Sequence, residues 1–339
     1  MTGIIKIDEY SKTPKYKQII NSVIAGLEKG VLPVDTKLPS VNRLLIEFDI
    51  SRDTVVKAYD ALKDMGIIDS IPGKGYYIKS ANFRQEVKIF LLFNKLSPHK
   101  KIIYDSFTAT LGDRAAIDFY IYNNNYRLFK ELILSHQKQN YTHWVIIPHF
   151  VDGGEDAYKL INDLPKEKLL ILDKRIEGVT GEYAVVYQDF ERDIYCALTE
   201  VKDLLKKYRT LNIIFPTDGY HPKEIVSGFE MFCTEYAFDF EIVTDIEAKT
   251  IRKNEAYINL MEDHLVALIK SIKKQGLKAG QDVGIISYNE TPLKEILLDG
   301  ITVISTDFKK LGQTAAELIL QNKKEVIANP FHLFLRNSL

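Results

Sequence analysis

The sequence predicts an α/β protein in two parts, a small helical unit closed by a β-hairpin and a larger unit of parallel sheets with helices on both faces. Three observations carry this. Residues 15–78 place three amphipathic helical patterns ahead of two short strands around Pro72-Gly73-Lys74. From Val87 onward, short apolar runs alternate with helical stretches, as in strands joined by helical crossovers. At 339 residues the chain exceeds a typical single domain. About 250 residues of alternation is more than one small sheet needs, so two lobes are expected. The boundaries read as 1–80 for the first unit, 81–86 for a polar linker without periodicity, and 87–339 for the larger unit.

The first helix is read between Lys15 and Lys29, where Tyr16, Ile19, Ile20, Val23, Ile24 and Leu27 form one apolar stripe and Gly30 ends it. Pro33 and Pro39 bracket a loop. Ser40 can cap a second helix of about two turns, with Val41, Leu44, Leu45 and Phe48 facing inward. Ser51 can cap a third, in which Val55, Tyr59 and Leu62 point to the core and Arg52, Asp53, Thr54 and Lys57 lie opposite. Gly66 closes it. Ile67 to Ile71 and Gly75 to Ile78 then make a hairpin whose glycine-flanked Lys74 can approach a phosphate or a minor groove closely.

Two short helices, a tight turn and a basic hairpin tip are the layout of a winged helix-turn-helix that docks on DNA. The N-terminal turn of the third helix is the part that reaches base edges. Arg52 suits bidentate bonding to guanine and Thr54 a methyl or hydrogen bond, while Lys57 shares their face. Ser40, Arg43 and Ser51 are placed to meet phosphates, and Gly73, Lys74 and Gly75 form the wing contact. Residues 1–80 hold 12 Lys plus Arg against 10 Asp plus Glu, only +2, in a chain of net charge -1. Binding must therefore rest on a few placed charges rather than on a broad basic surface.

This order of residues resembles the DNA-binding domain of the GntR family of bacterial transcriptional regulators. The resemblance rests on Pro14, Tyr16 and Gln18-Ile19, Leu38-Pro39-Ser40 with Arg43-Leu44, Ser51-Arg52 with Thr54-Val55, Ala58-Tyr59, Leu62, Gly66, and Pro72-Gly73-Lys74-Gly75. It implies DNA contacts from Arg43, Arg52, Thr54 and the Gly-Lys-Gly wing. Val56 stands where many members have an arginine that also contacts DNA, so no operator sequence carries over.

In the larger unit, strands are read at Val87 to Phe93, Ile117 to Tyr122, Trp144 to Ile147, Leu169 to Leu172, Ala184 to Tyr187, Leu211 to Phe215, Phe240 to Val243, Ala256 to Ile258, Val283 to Ser287 and Ile301 to Ile304. Open α/β sheets bind ligands beyond the carboxyl ends of their strands. Those ends are Phe93-Asn94-Lys95, Pro148-His149-Phe150, Asp173-Lys174-Arg175, Gln188-Asp189 with Arg192, Pro216-Thr217-Asp218 and Tyr288-Asn289-Glu290. Planar charged groups that bond adjacent hydroxyls, with aromatic faces, suit a polyhydroxylated ligand. The same residue types also cap helices.

The segment is similar to the effector domain of the LacI/GalR family, related to periplasmic sugar-binding proteins. The matching residues are Leu172 to Arg175, Gln188 to Arg192, His221-Pro222 with Gly228-Phe229, Asp282 to Glu290, Leu311-Gly312 with Ala315 to Ile319, and a final strand ending at Leu335 to Ser338. The resemblance implies a two-lobed periplasmic-binding-protein-like domain. Arg192 would anchor ligand hydroxyls, Phe229 would stack on the ligand, and Asn289 would replace a family aspartate. Asn289 offers one acceptor and an NH2 donor, so the bonding pattern changes. The candidate effector residues are Phe93, Asn94, Lys95, His149, Arg175, Asp189, Arg192, Phe229 and Asn289.

Composition narrows the alternatives. A content of 46% hydrophobic and 27% charged residues is that of an ordinary globular protein, and no apolar run is long enough to span a bilayer. Acidic residues stand where a secretory signal would have its apolar segment, which points to the cytoplasm. Cys196 and Cys233 are too few for a disulfide framework or a Cys-rich metal site and read as buried thiols. No catalytic residue, cofactor or metal is expected. The combined expectation is a homodimeric transcriptional regulator on a near-palindromic DNA operator, repressing carbohydrate-utilisation genes until a sugar or sugar derivative releases it. The alternatives are a sugar-modifying α/β enzyme and an activator answering a non-sugar effector. No phosphate loop, Gly-x-Ser-x-Gly elbow or His-Glu-x-x-His supports the first. A transport solute-binding protein fits neither the missing signal nor the N-terminal unit.

Overall fold

The computed structural model describes residues 3–80, 87–216 and 221–339, so the 81–86 linker and Thr217-Asp218 lie outside the described residues. In the N-terminal unit, α1 (Lys15–Glu28) follows Pro14 and buries Ile19, Ile20, Val23, Ile24 and Leu27. The Ser40 hydroxyl caps α2 (Val41–Phe48) by accepting from the Arg43 amide. Only Leu44 of that helix is fully buried, while Val41, Leu45 and Phe48 pack half-buried on the same core. Asp49, left-handed at φ 47°, turns the chain into α3 (Arg52–Asp64), capped by Ser51. Val55, Ala58, Tyr59 and Leu62 face inward, and the Tyr59 hydroxyl donates to the Pro39 carbonyl at 2.6 Å, fixing the loop ahead of α2. Strands β1 (Ile68–Ile71) and β2 (Gly75–Ile78) pair antiparallel from Ile68↔Ile78 to Ile71↔Gly75. The turn needs Gly73 at φ 74° and Gly75 at φ 104°, conformations that side chains disfavour.

The larger unit holds two six-stranded sheets. Lobe 1 is laid down as β3 (Val87–Phe93), α4 (Pro98–Leu111), β4 (Ala115–Ile121), α5 (Tyr126–His136), β5 (His143–Ile146), α6 (Ala157–Asn162), β6 (Leu169–Asp173) and β7 (Ala184–Tyr187). The chain then crosses into lobe 2 through α7 (Phe190–Glu200), α8 (Lys202–Leu205), β8 (Thr210–Ile214), α9 (Glu224–Glu235), β9 (Asp239–Val243), β10 (Glu255–Asn259), α10 (Glu262–Lys274), β11 (Val283–Tyr288), α11 (Pro292–Ile296) and β12 (Thr302–Thr306). It returns to lobe 1 with α12 (Phe308–Leu320) and β13 (Val326–Ala328) and ends in lobe 2 with β14 (Phe331–Phe334). Sheet order is β13-β7-β6-β5-β3-β4 in lobe 1 and β14-β12-β11-β10-β8-β9 in lobe 2.

All ten strands read from sequence in this unit are present, shifted by a residue or two at their ends. The parallel expectation holds except at β14, which pairs antiparallel with β12. Among the described residues three passages connect the lobes, and Asn329 ties them together. Its amide NH2 donates to Thr306 Oγ1 at 2.8 Å and to the Asp307 carbonyl at 2.9 Å, and its backbone N–H donates to the Tyr187 carbonyl at 2.7 Å.

Two glycines named in the sequence reading explain helix packing. A Cβ on Gly312 of α12 would fall 2.2 Å from Ser106 Oγ and 2.4 Å from the Ile103 carbonyl, so its absence lets α12 press on α4. A Cβ on Gly228 of α9 would fall 2.1 Å from the Glu191 carbonyl of α7. Of the cysteines, Cys233 is buried, and burial pushes its thiol up to about 12. Cys196 is exposed, contrary to the sequence reading, because it lies off the stripe that Ile194, Ala197 and Leu198 bury.

Candidate functional site

The first candidate surface is the outer face of α3 with the hairpin. Ser51 Oγ accepts from the Thr54 amide at 3.3 Å and lies 2.8 Å from Thr54 Oγ1, so the two hydroxyls hold each other at the helix start. Arg52 is exposed. Lys57 is exposed too, with its ammonium 4.2 Å from the centre of the Tyr16 ring. Arg43 bonds Glu47 at 3.4 Å one turn along α2, an exposed pair of small net worth that leaves the guanidinium available. Ser40 Oγ accepts from the Arg43 amide at 3.2 Å. Lys74 stands exposed between Gly73 and Gly75 at the hairpin tip, where the Tyr77 hydroxyl donates to its carbonyl at 3.3 Å. Sequence reasoning missed Lys37, an exposed cation whose Cε lies 3.5 Å from where a Cβ of Gly75 would sit. Its backbone bridges Tyr77, which only the tertiary fold places there.

The second is the cleft between the carboxyl ends of the two sheets. On the lobe 1 side, the Asp173 carboxylate is only 1% exposed, at a left-handed φ of 77°. Its Oδ2 accepts from Lys100 Nζ at 2.5 Å and His149 Nε2 at 2.7 Å, and its Oδ1 accepts from Gln188 Nε2 at 2.6 Å. Burial would raise this carboxyl, but Lys100 and His149 outweigh it and hold it well below the usual carboxylate range. Burial also lowers His149 despite its bond to Asp173. A neutral imidazole donating from Nε2 leaves Nδ1 as an acceptor. The Tyr122 hydroxyl, bonded to the Ile147 carbonyl and to the His149 backbone at 2.8 Å, fixes the turn that carries His149. Asn94 Nδ2 donates to Asn124 Oδ1 at 2.7 Å, while Asn94 Oδ1 is buried without a hydrogen bond.

On the lobe 2 side, buried polar atoms without hydrogen bonds cluster at the strand ends. Among the described residues they are Asn259 Oδ1, Ser287 Oγ, Tyr288 OH, Asn289 Oδ1 and Thr291 Oγ1, with His264 Nδ1 in the first turn of α10 and Asp193 Oδ2 in that of α7. Burial, reinforced by Asp189, pushes the Asp193 carboxyl up to about 7. Burial, together with Lys95, His264 and His149, lowers His221 to about 4. Lys95 and His149 belong to lobe 1, so the two edges face each other across His221. The lobes also meet where His99 Nε2 lies 3.3 Å from the Glu290 carbonyl oxygen and where Lys174 lies 3.9 Å from Glu224.

Of the residues named from sequence, Asn94, Lys95, His149 and Asn289 are at these facing edges. Asp189 caps α7 through the Arg192 amide at 3.5 Å, leaving the Arg192 side chain exposed. Arg175 is exposed over the Tyr187 ring at 5.1 Å. Phe93 and Phe229 need correction. Both are 0% exposed, Phe93 packed edge-on against Phe119 in lobe 1 and Phe229 against Phe240 in lobe 2. Their side chains point into the apolar layers between helix and sheet, so neither ring can stack on a ligand. Lys100, Gln188, Asp193 and Ser287 were not among the candidate residues. A signal for Lys100 did exist: it stands at the head of the stripe Lys100, Ile103, Phe107, Leu111, where a cation needs a buried partner.

Among the described residues, no group of three His, Cys, Asp or Glu is placed to hold a metal ion, and no helix is long and apolar enough to cross a membrane. The cleft edges offer a buried carboxylate, amides, hydroxyls and imidazoles, a donor and acceptor set suited to a polar ligand with many hydroxyls.

Comparison with known proteins finds matches for both units. Residues 15–78 match bacterial regulatory proteins of the gntR family, and residues 205–337 match the periplasmic binding protein-like domain. The HTH-type transcriptional repressor YtrA of Bacillus subtilis is 41% identical over 75 residues, which is 22% of this chain and 58% of that protein. The chain thus spans less than two thirds of that curated relative. The arabinose metabolism transcriptional repressor of Geobacillus stearothermophilus is 20% identical over 91% of both chains. Among solved structures, the Lac repressor bound to ONPG superposes with a TM-score of 0.62 at 16% identity, covering 86% of this chain and 92% of that one. The chain therefore carries a GntR-type winged helix-turn-helix followed by a two-lobed periplasmic-binding-protein-like domain with the fold of the Lac repressor.

Proposed function

We propose that this protein is a ligand-responsive, DNA-binding transcriptional regulator, a cytoplasmic homodimer that represses carbohydrate-utilisation genes and is released by a sugar or sugar derivative. The observation that carries the reading is the pairing, in one chain, of an exposed α3 face and Lys74 wing with a cleft whose lobe 2 edge holds unsatisfied buried polar atoms. Such atoms are costly when unpaired, and a ligand rich in hydroxyls would satisfy them. The relatives named for arabinose and lactose regulation support the same ligand class. A ligand shifts DNA binding only as far as it prefers one arrangement of the lobes.

In this reading Arg52 and Thr54 read bases, with Lys57 beside them, and Ser40, Arg43, Ser51, Gly73, Lys74 and Gly75 meet the DNA backbone. Arg52→Ala is expected to weaken binding to DNA upstream of its own gene cluster by about 1 to 3 kcal/mol and relax specificity. Lys74→Ala should weaken all sequences alike and lower the salt slope by about 1. Unchanged DNA binding in both variants would refute the reading. A thermal-shift screen of sugars and sugar phosphates tests the cleft, since a ligand at 100 times its dissociation constant adds about 2.7 kcal/mol.

The sugar-modifying enzyme is favoured by one observation, the buried Lys100–Asp173–His149 cluster, which resembles an acid–base arrangement. Turnover of a bound sugar by the purified protein would establish that reading instead.

A further inference from the structure

Strand β4 is the edge of the lobe 1 sheet, and an edge strand leaves backbone N–H and C=O groups open on its outer side. Here the segment just before α1 takes them. Phe119 N–H donates to Thr13 Oγ1 at 2.7 Å, and Thr13 Oγ1 donates to the Ile117 carbonyl at 3.0 Å. The Phe119 carbonyl accepts from the Lys12 amide at 2.6 Å and from Ser11 Oγ at 3.1 Å. The Tyr120 hydroxyl donates to Asp8 Oδ2 at 2.9 Å and also lies 2.9 Å from His136 Nε2. Thr13 is 3% exposed, so its hydroxyl bonds are shielded from water. Apart from that of Tyr120 with His136, these contacts join positions more than a hundred residues apart, and they do so outside the 81–86 segment.

The contact continues into the reading unit and into the cleft. Thr13 is followed by Pro14, the residue that starts α1, and α1 shares one core with α3. Tyr16 of α1 carries the Lys57 ammonium of α3 on its ring and lies near enough to the Tyr104 hydroxyl of α4 to help raise it. Tyr104 in turn stacks on Phe119 at 4.8 Å. At its other end β4 runs into Tyr122, which is bonded to the His149 turn, and Asn124, which is bonded to Asn94 at the cleft edge. One strand therefore touches the DNA-reading unit along its middle and the cleft at its end.

We propose that residues 8–13 are a docking arm that fixes the winged helix-turn-helix on strand β4, so that lobe 1 and the reading unit move as one body and set the spacing at which two half-sites are read. The part concerning DNA rests on the function proposed above. The dock itself does not. With the arm in place, two copies of α3 in a dimer are held at one separation, whereas without the dock that separation is not fixed by lobe 1.

Amide hydrogen exchange on the full-length protein, without DNA or ligand, tests the dock. The Phe119 amide should exchange slowly in the wild type and at least about tenfold faster in Thr13→Val, which keeps the shape but removes both hydroxyl bonds, while amides of β3 and β5 stay unchanged. Asp8→Ala should accelerate the same amide by a smaller factor. Equal Phe119 exchange in the wild type and Thr13→Val would overturn the dock. For the spacing role, DNA sites are selected in vitro from random sequence with the wild type and the spacer is then lengthened by about two base pairs. The wild type should lose at least about tenfold in affinity and Thr13→Val under about threefold. Equal losses would overturn that role. If no DNA is selected at all, the regulator reading fails, and the exchange result still decides the dock.

Discussion

The two cleft edges present the same kind of strand ends but differ in their buried polar groups: apart from Asn94 Oδ1, which has no hydrogen bond among the described residues, the lobe 1 edge is bonded where the lobe 2 edge is open. In lobe 1 the Asp173 carboxylate is bonded on both oxygens by Lys100, His149 and Gln188. In lobe 2 the Asp193 Oδ2, Ser287 Oγ, Tyr288 OH and Asn289 Oδ1 atoms are buried with no hydrogen bond among the described residues. The difference teaches what each edge contributes. A closed network of buried charge rigidifies its surroundings, so lobe 1 offers a finished wall. Open polar atoms have their bonding capacity in reserve, so under the proposed function lobe 2 is the side that a ligand would complete.

The largest expected effect is in lobe 1. Lys100→Ala would leave the Asp173 carboxylate buried without its main counter-charge, and breaking such a pair costs about 3–5 kcal/mol. Chemical unfolding monitored by circular dichroism measures this. A loss under about 1 kcal/mol would show that the Asp173 cluster is not a structural wall. Replacing both partners at once, as in Lys100→Met with Asp173→Leu, should recover much of the loss, because no charge is then stranded.

The next test uses pH. Asp193 has its folded carboxyl raised to about 7 from 3.8, so between those values the unfolded chain has released a proton that the native protein keeps. Native stability from this group therefore falls as pH rises from about 4 through 7. Asp173 has the opposite sign: its lowered carboxyl gives stability that is present above its unfolded pKa and lost as pH falls toward the folded one. The stability of Asp193→Asn relative to the wild type should increase as pH rises across the 4 to 7 window and level off above it. A flat difference across unfolding curves taken at several pH values would mean that Asp193 is not an unsatisfied buried acid.

A smaller effect on stability, with a larger one on binding, is expected for Ser287→Ala. The hydroxyl has no hydrogen bond to lose, so stability should change by under about 1 kcal/mol, or rise. The thermal shift given by a sugar that stabilises the wild type should shrink. A clear destabilisation with an unchanged sugar response would assign Ser287 to the fold and remove it from the cleft.

The contrast between the edges also explains what was legible in the sequence. Strand and helix periodicity exposed both lobes, because a buried parallel strand needs a continuous apolar run and its flanking helix an apolar stripe. The α3 face was legible for the same local reason, since Ser51, Arg52, Thr54 and Lys57 lie within two turns of one helix. The cleft was less so. Lys100, His149, Asp173 and Gln188 come from four separate segments, and only the sheet order brings them together. Phe93 and Phe229 do not reach the cleft because Phe93 ends a strand buried on both faces and Phe229 lies on the buried stripe of its helix. Both patterns put the ring in the core.

The smallest expected effect concerns the joint between the edges. Lys174 and Glu224 face each other across the lobes at 3.9 Å, at the outer limit of an ion pair, and Glu224 keeps half of its side chain in solvent. Such a pair gains little in high dielectric and loses side-chain entropy in forming. Glu224→Gln should change unfolding stability by less than about 0.5 kcal/mol. It should also leave the Lys100→Ala penalty unchanged, because sites that share no partner add independently. A double variant that departs from the sum of the two single effects by more than about 0.5 kcal/mol would show the lobe 1 wall to be coupled to lobe 2 through this bridge. The two edges would then be one network, and the division between a finished wall and an open one would fail.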